Sequence, residues 1–381
     1  MNFNLSKKHL EKREEYREFA REYIAPEASQ IDEQQKFPRS IVEKMAARGY
    51  LGLPLPKEWG GAGEDFLSYV LLIEEVSREC ASTGVIISVH TSVGTYPIYL
   101  YGTLEQKNNY LKRLASGEWL GAFALTETQA GSDAGAVSTK AVKQDNGYWL
   151  NGTKQFITNG GEADLYTVFA NANPEQGRKG ITAYLVEKDT PGMVIGKKES
   201  KMGLHGSATV ELILDDAFIP FDCRLGEEGQ GFNIALSLLD GGRIGIAAQA
   251  LGLASAALDY AREYTSEREQ FGQKVYDFQA LSFAMADLYT RLEAARLMMY
   301  RAAWLKSHDY RCTREASMAK VIATDLAVDA STKAVSMLGG RGAIKDHPVE
   351  RYFRDAKVTQ IYEGTNQIQR MVIAREVLLN K

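Results

Sequence analysis

The chain has 381 residues, 45% of them hydrophobic, with 45 basic and 49 acidic residues and a formal net charge of -4. Because charges of both signs are scattered without long runs, this composition argues against nucleic acid as the main partner and favours a folded protein that acts on a small molecule. A chain of this length is expected to form two or three domains.

The three cysteines, Cys80, Cys223 and Cys312, are far apart and odd in number. This usage argues against a disulfide framework or a zinc cluster and favours a reducing compartment. Residues 1–5 lack the basic-then-apolar layout of a signal peptide, and we find no apolar stretch of membrane-spanning length. We therefore expect a cytoplasmic protein without membrane insertion.

Helical periodicity runs through the first part of the chain. Ser6 is expected to cap a strongly charged helix that stops at Pro26. A shorter helix is predicted over 41–48, and an apolar one over 66–80. We predict an N-terminal helical domain over residues 1–120.

The period changes from helical to alternating near Trp119. Asn151-Gly152-Thr153 lies between two short apolar runs and predicts a hairpin turn. Further short strands are expected over 165–170, 181–186, 193–196 and 210–214. Strands at this spacing predict a small antiparallel β-barrel or sandwich as the middle β domain, residues 121–225.

The helical period returns after Gly231. Between Leu281 and Met299 the apolar positions step by four and three, as on the seam of a helix in a bundle. The alanine-rich segments 244–260 and 316–338 would let neighbours approach closely, including other copies of the chain. We predict a C-terminal helical bundle over residues 226–381.

Conventional catalytic signatures are mostly missing from the sequence. The five histidines show no HExxH spacing, and neither GxSxG, GxxxxGK[ST] nor a strand-linked GxGxxG occurs, which disfavours a hydrolase or a Rossmann dehydrogenase. Four polar, glycine-rich clusters remain, each of which alone predicts only a turn: 125–135, 156–161, 239–243 and 338–342. Exposed backbone donors with little side-chain bulk would suit a large flat polar ligand, whose identity the spacing leaves open.

Glu363 is the candidate general base. It lies between an apolar pair and Gly364, just before a last helix that Thr365 or Asn366 can cap. Gly364 would let the backbone pass close to a ligand at this rigid corner. A lone glutamate before a helix cap is more often a solvated residue, so the assignment depends on the rest of the chain.

Seven motifs, taken in order, resemble the acyl-CoA dehydrogenase family, closest to its short-chain (butyryl-CoA) branch. They are FALTETQAGSDAG, FITNGG, LDGGRIGIAAQALG, SEREQFG, FQALSF, LGGRGA and RDAKVTQIYEGTNQIQR. The resemblance covers essentially the whole chain. It implies an N-terminal helical domain, a middle β domain and a C-terminal four-helix bundle, assembled as a homotetramer (a dimer of dimers) with FAD as cofactor and no metal.

The resemblance also assigns binding residues by position. FAD contacts are implied for Phe123, Leu125, Thr126, Ser132, Phe156, Ile157, Thr158, Arg268, Phe271, Gln279, Ser336, Met337, Leu338, Gly339, Gly340, Thr365 and Gln367. Of these, Arg268, Phe271 and Gln279 would reach the FAD of a neighbouring subunit, together with 336–340. Acyl-CoA contacts are implied for Ser132, Asp240, Arg243, Tyr362 and Gly364.

By the same resemblance, Glu363 would remove the α-proton of an acyl-CoA thioester while the β-hydrogen leaves as hydride to flavin N5. The product would be a trans-2-enoyl-CoA, as in fatty acid β-oxidation, and the electrons would pass to an electron-transferring flavoprotein. Three positions depart from relatives: Phe156 stands where tryptophan is common, Gly242 where other branches carry the base, and Gly84 where glutaryl-specific members carry arginine.

Two alternatives to a dehydrogenase stay open at this point. The same site could work as an enoyl-CoA reductase or as an acyl-CoA oxidase. From a different class, the chain could be a helical scaffold protein that has lost its flavin.

Overall fold

Helices form the first third of the chain in this computed structural model, which describes residues 4–379. The expectation about a signal peptide concerned residues 1–5, of which 1–3 lie outside the described range. The α-helices before the sheet are α1 Lys7–Phe19, α2 Ala28–Gln34, α3 Arg39–Ala47, α4 Phe66–Glu79, α5 Ala81–Val89, α6 Tyr96–Tyr101, α7 Leu104–Gln106 and α8 Lys112–Ser116. A π-helical turn, His90–Thr95, joins α5 to α6.

The first helix begins as predicted but does not stop where predicted. The Ser6 hydroxyl accepts a hydrogen bond from the His9 N–H at 3.2 Å, which confirms the cap. The expected stop at Pro26 is wrong, since the chain continues through a π-helical turn and the 3-10 turn Ala25–Glu27 into α2. Pro26 is tolerated because it lies in the first turn of that 3-10 segment, where its missing N–H is not needed.

A single sheet of eight strands follows. The strands are β1 Gly121–Ala124, β2 Lys140–Gln144, β3 Gly147–Thr158, β4 Leu165–Asn171, β5 Ile181–Glu187, β6 Met193–Lys198, β7 Thr209–Pro220 and β8 Arg224–Leu225. Their order is β6-β7-β3-β2-β4-β5-β8, with β1 paired to β4. Most neighbours are antiparallel, but β1 runs parallel to β4, and β2 meets β4 in parallel at one residue pair.

The predicted hairpin at Asn151-Gly152-Thr153 is wrong, because β3 runs straight through it. The β2–β3 turn lies at Asp145 and Asn146, where Asp145-Asn146-Gly147 also predicts a turn. A Cβ on Gly152 would lie 2.5 Å from the Thr139 Oγ1, so the glycine serves a close backbone approach at a bulge opposite β7.

Long helices form the last third of the described chain. They are α9 Gly231–Glu267, α10 Gln279–Ser307, α11 Thr313–Leu338, α12 Val349–Thr359 and α13 Asn366–Leu379, with a two-stranded hairpin of β9 Glu269–Gln270 and β10 Gln273–Lys274 after α9. The cluster 239–243, expected as a turn, lies inside α9, which corrects that expectation. The predicted seam of α10 is confirmed at its centre, where Leu288, Leu292, Ala295 and Met299 are buried.

The helix α9 packs its small residues against the N-terminal helices. A Cβ on Gly245 would lie 2.4 Å from Ser88 Oγ, and one on Gly252 would lie 2.4 Å from the carbonyl of Glu74. By length and composition α9 is also apolar enough to cross a membrane, contrary to the expectation that no such stretch exists, but 89% of its most apolar window is buried inside the protein. Such burial is typical of a core helix.

Two hydrophobic cores result from this arrangement. The larger one joins the N-terminal helices to α9, α10 and α11, and the smaller one fills the sheet around Tyr148, Tyr166 and Tyr184. The three cysteines are free thiols; Cys80 and Cys312 are buried, and Cys223 is half-buried.

Candidate active site

Glu363 lies in a tight turn between α12 and α13, with a left-handed backbone (φ +54) that continues into Gly364 (φ +84). The Gln369 side-chain amide donates to the carbonyls of both residues, at 3.1 and 3.0 Å. Thr365 Oγ1 accepts from the Ile368 N–H at 3.3 Å, which confirms Thr365 as the cap of α13. The helix that follows therefore fixes the turn, and glycine suits the second left-handed position.

The carboxyl group of Glu363 is only partly satisfied. Its Oε2 is out of solvent contact and has no hydrogen-bond partner among residues 4–379. Burial raises the pKa of Glu363 to about 7, against the opposing pull of the positive charges on Arg243 and Lys320. A carboxyl group with this pKa exchanges its proton near neutral pH.

Gly242, in the middle of α9, lies directly against this carboxyl group. A Cβ at Gly242 would lie 2.6 Å from Glu363 Oε2, so only glycine fits there while Glu363 keeps its position. On the next residue, Arg243 Nη1 donates to Asp240 Oδ1 at 2.8 Å, and Asp240 Oδ2 accepts from Thr313 Oγ1 at 2.7 Å. The structure thus brings Arg243 close enough to influence the charge of Glu363, with Asp240 held to Arg243.

The other side of the turn is tied to the N-terminal helices. The Tyr362 hydroxyl donates to the side-chain oxygen of Gln249, whose amide donates to the Ala81 carbonyl at 2.8 Å. Burial raises the pKa of Tyr362 well above its usual range, so its phenol stays neutral. Sequence reasoning missed Gln249 and Gln369, which carry no pattern of their own.

Sequence reasoning also missed Lys320, which is fully buried in α11. Its Nζ donates to the Gly364 carbonyl and to Asn366 Oδ1, both at 2.9 Å. One signal could have found it: Lys320 lies among small residues that turn out to be buried, including Ala316, Ala323 and Ala327. A lysine that is buried among small apolar residues usually has a structural or functional role.

A second group of predicted residues lies at the end of β3. A bulge opposite β7 leaves Phe156 with a left-handed backbone (φ +56) and 60% of its surface exposed, while Ile157 is buried and Thr158 half-buried. The Gln155 N–H donates to the Thr126 carbonyl at 2.8 Å. Thr126 and Phe156 are therefore neighbours in space.

The loop that carries Thr126 is held by a buried ion pair. Lys154 Nζ donates to Glu127 Oε1 at 2.6 Å and to the Leu125 carbonyl at 3.2 Å. Glu127 also accepts from the backbone N–H and hydroxyl groups of Ser138 and Thr139, at 2.5 to 3.0 Å. The pair closes the loop 127–139 into a fixed shape.

The helical segment 81–95 contacts both the sheet edge and the middle of α9. Asn159 Nδ2 donates to the carbonyls of Ile86 and Gly121, at 3.1 and 3.2 Å. His90 Nδ1 accepts from the Gly121 N–H at 3.0 Å, and Nε2 donates to the Leu114 carbonyl at 3.1 Å. Burial lowers the pKa of His90 to about 4, so this neutral ring is a structural bridge and not a base.

Among the remaining predicted FAD residues, Arg268 lies far from Gly242 in the same chain. Arg268 follows the last residue of α9, 26 residues after Gly242, which corresponds to about 39 Å along a helix axis. Phe271, at the tip of the β9–β10 turn, is 95% exposed. Gln279, Ser336, Gly339, Gly340 and Ser132 are also exposed, as is Gln367, four residues after Glu363, whereas Met337 and Leu338 are buried and Phe123 is half-buried.

Three family models match nearly the whole chain. The acyl-CoA dehydrogenase N-terminal domain matches residues 6–118, the middle domain matches 122–217, and the C-terminal domain matches 229–378.

Curated relatives cover the chain end to end. An acyl-CoA dehydrogenase of Bacillus subtilis (strain 168) is 55% identical over 95% of this chain and 96% of its own length. A short-chain specific acyl-CoA dehydrogenase of Clostridium acetobutylicum is 48% identical over 99% and 100%. An acryloyl-CoA reductase (NADH) of Anaerotignum propionicum is 45% identical over 99% and 96%.

Solved structures share the fold. Butyryl-CoA dehydrogenase from Megasphaera elsdenii superposes with a TM-score of 0.98 at 43% identity, covering 99% of this chain and 100% of its own. A chain from the structure described as the electron transferring flavoprotein of Acidaminococcus fermentans gives 0.98 at 48% identity, with the same coverage. PigA with FAD and proline gives 0.96 at 31% identity, covering all of both chains.

Proposed function

The chain belongs to the acyl-CoA dehydrogenase family and is an FAD-dependent oxidoreductase, and we propose that it desaturates short-chain acyl-CoA thioesters with Glu363 as the base. One observation carries the assignment of the base. The Glu363 carboxyl group presents an unpaired oxygen in a site closed by Gly242, and burial raises its pKa to about 7. A base is most effective when its pKa lies near the working pH.

The residues around Phe156 fit the ring system of FAD. Phe156 offers an uncovered aromatic face, and the half-buried Thr126 and Thr158 offer hydroxyl groups beside it. A flat heterocycle with polar edges would cover such a surface and hydrogen-bond along its rim. When bound, FAD supplies the acceptor for the hydride that leaves the substrate β-carbon.

The chain's own part of the reaction is proton removal and orientation. Glu363 takes the proton from the α-carbon, so that the electron pair of that C–H bond forms the new double bond as the β-hydrogen leaves. The Glu363 backbone N–H would donate to the thioester oxygen, where negative charge develops. Asp240 and Arg243, fixed to each other and to Thr313, would orient the CoA portion.

A short monocarboxylic acyl group is the proposed substrate. The Clostridium relative is described as short-chain specific and the Megasphaera structure as a butyryl-CoA dehydrogenase, which supports this choice. A Cβ at Gly84 would lie 2.0 Å from Ser77 Oγ, so this packing leaves no room for the arginine that glutaryl-specific members carry there. The proposed metabolic role is fatty acid β-oxidation.

A homotetramer, built as a dimer of dimers, is the proposed assembly. The distance of about 39 Å between Gly242 and Arg268 along α9 supports the proposal that Arg268 and Phe271 serve the FAD of another copy. Guanidinium groups suit pyrophosphate oxygens. Arg268→Ala should therefore lose FAD on dialysis without losing its fold, and an unchanged flavin content would contradict this role.

Two further proposals concern the surroundings of the enzyme. We propose an electron-transferring flavoprotein as the electron acceptor, which the Acidaminococcus structure supports by its description. The three free thiols support a reducing compartment, and we propose the cytoplasm.

Anaerobic titration with butyryl-CoA tests the proposed activity. The purified protein should be yellow, and the flavin band should bleach on addition of butyryl-CoA but not of glutaryl-CoA. A colourless protein would favour the scaffold alternative, and rapid oxygen uptake without a flavoprotein acceptor would favour the oxidase.

A second function is favoured by one finding, the identity of 45% to an acryloyl-CoA reductase (NADH). Run in reverse, the same site would saturate a short 2-enoyl-CoA. NADH consumption that depends on crotonyl-CoA and an added electron-transferring flavoprotein would establish this direction.

A further inference from the structure

Lys320 joins three elements at the Glu363 turn. From α11 its ammonium reaches the carbonyl of Gly364 in the turn and the side-chain oxygen of Asn366, which begins α13. Both acceptors are neutral oxygens. An ammonium group that is removed from water loses a large part of its hydration free energy, and neutral acceptors compensate less of that loss than a carboxylate does.

A charge is not needed to fix this turn. On the same turn, the neutral amide of Gln369 already donates to the carbonyls of Glu363 and Gly364, at 3.1 and 3.0 Å. A glutamine or another neutral donor at position 320 could supply the remaining hydrogen bonds. The choice of a buried cation therefore points to an electrostatic role.

The other charges near Lys320 already have partners. Asp325, on α11, accepts from Arg370 of α13 at 2.6 Å, and from the side-chain amides of Gln360 and Asn366 at 2.7 and 2.8 Å.

On α9, Arg243 donates to Asp240 through Nη1, while its buried Nε has no partner among the described residues, so Arg243 also favours the ionised form of Glu363. Glu363 is the carboxyl group left with an unpaired oxygen in this neighbourhood of the described chain.

We propose that Lys320 is a positioning residue for the reaction, which both aims the Glu363 carboxylate through the Gly364 carbonyl and favours its ionised form through its charge. The proposal rests on the proposed role of Glu363 as the base. The pKa shifts of Lys320 and Glu363 agree with each charge stabilising the other. Burial lowers the pKa of Lys320 to about 7, with Glu363 opposing that fall, and Lys320 opposes the rise at Glu363.

The pH dependence of flavin reduction separates the charge from the hydrogen bonds. Lys320→Gln keeps a donor and removes the charge, and Lys320→Met removes both. In each variant the acidic limb of the rate profile with butyryl-CoA should move up by about one pH unit, the low end of the effect of a nearby opposite charge. Rates below the limb should therefore fall about tenfold, and those of Lys320→Gln should approach the parent at high pH.

Lys333 provides a matched control, because it is an exposed lysine on the same helix. Lys333→Met removes one positive charge that water screens, and its acidic limb should stay in place. An acidic limb that is unmoved in Lys320→Gln, with or without a uniform loss of rate, would overturn the electrostatic role.

A second measurement needs no substitution at Lys320. In protein labelled with ¹⁵N at lysine, the titration of Lys320 Nζ should move to lower pH in Glu363→Gln, since the carboxylate that favours the ammonium is gone. An unchanged midpoint would contradict the proposal. A parent enzyme that butyryl-CoA does not reduce at any pH would instead overturn the proposed function, and the NMR result would not depend on it.

Discussion

Glu127, which is buried, and Glu363, which is half-buried, each have a buried lysine nearby but behave in opposite ways. Glu127 accepts six hydrogen bonds, including one from Lys154, whereas Glu363 keeps one oxygen unpaired and Lys320 donates to neutral oxygens beside it. Burial favours the neutral form of both. At Glu127 the charge and hydrogen bonds of its partners outweigh burial and lower the pKa to about 2, whereas burial dominates at Glu363 and raises the pKa to about 7.

Glutamate thus serves two purposes in this chain, a structural one at Glu127 and a proposed catalytic one at Glu363. A carboxylate whose lone pairs are all engaged cannot accept a proton from substrate, so Glu127 is structural. A carboxylate oxygen that is out of solvent contact and left short of donors is suited to act as a base. Direct contact decides between them, since Lys154 donates to Glu127 itself, whereas Lys320 donates to neutral oxygens beside Glu363.

Removing the base should have the largest effect. Glu363→Gln keeps the shape of the side chain and should slow flavin reduction by about 10²–10⁴. Stopped-flow bleaching with butyryl-CoA measures the rate, on a variant that first proves yellow and correctly assembled. Rapid bleaching of this variant would show that the unpaired oxygen of Glu363 is not what reacts.

Breaking the structural pair should affect folding instead. Lys154→Met leaves Glu127 buried without its counter-charge and should lower the free energy of unfolding by about 3–5 kcal/mol, with loss of FAD as the loop 127–139 loosens. Chemical denaturation and flavin content are the measurements. The double variant Lys154→Met with Glu127→Gln should be less destabilised, and a double variant no more stable than the single one would contradict this account.

Moving the base across the site should give a partial effect. Gly242 lies in α9 and Glu363 in the turn before α13, yet an added Cβ at Gly242 would lie 2.6 Å from the Glu363 carboxyl oxygen. Since a base acts by reach and orientation, Glu363→Gly with Gly242→Glu should reduce flavin faster than Glu363→Gly alone, though well below the parent. No gain at saturating butyryl-CoA would mean that Gly242 does not face the reacting carbon.

The smallest expected effect is on the pH dependence of stability. The pKa of Glu363 is about 7 in the folded chain and 4.5 ordinarily, so between these values the unfolded chain loses its proton first and the native state loses stability. Glu363→Gln lacks this titrating group, so its free energy of unfolding relative to the parent should rise by at most about 1.4 kcal/mol per pH unit from pH 5 to 7. Parallel denaturation curves at pH 5 and 8 check this gain.

Glu127 should show the reverse dependence on pH. Its pKa is lowered to about 2, so its contribution is complete above pH 4.5 and is lost as the pH falls toward 2. If the stability difference between the parent and Glu363→Gln is the same at pH 5 and at pH 8, the raised pKa of Glu363, and with it the contrast to Glu127, is contradicted.

The sequence predicted the helical and sheet regions, the cap at Thr365 and the corner that holds Glu363. It failed where glycine had a packing role. Asn151-Gly152 predicts a turn, but Gly152 gives room to Thr139 within a strand. Gly241-Gly242 also predicts a turn, but Gly242 gives room to Glu363 within a helix. A local sequence pattern shows that glycine is conformationally free, but it does not show the distant atom whose close approach excludes a side chain.

Residues whose role depends on a distant partner were also missed. Lys154 appeared only as part of an alternating strand and Lys320 only within an alanine-rich helix, yet both are fully buried. Their acceptors, Glu127 and Gly364, lie 27 and 44 residues away in the chain. Such pairings become visible only when the fold brings the two segments together.

The uninterrupted length of α9 limits how this chain can change. One continuous helix of 37 residues connects Gly242, beside the base, to Arg268, which is proposed to serve another copy. Inserting a single residue between them would lengthen the connection by only about 1.5 Å but would turn Arg268 about 100° around the helix axis. Length variation is therefore expected in surface segments such as Pro174–Gly180 and selected against within α9.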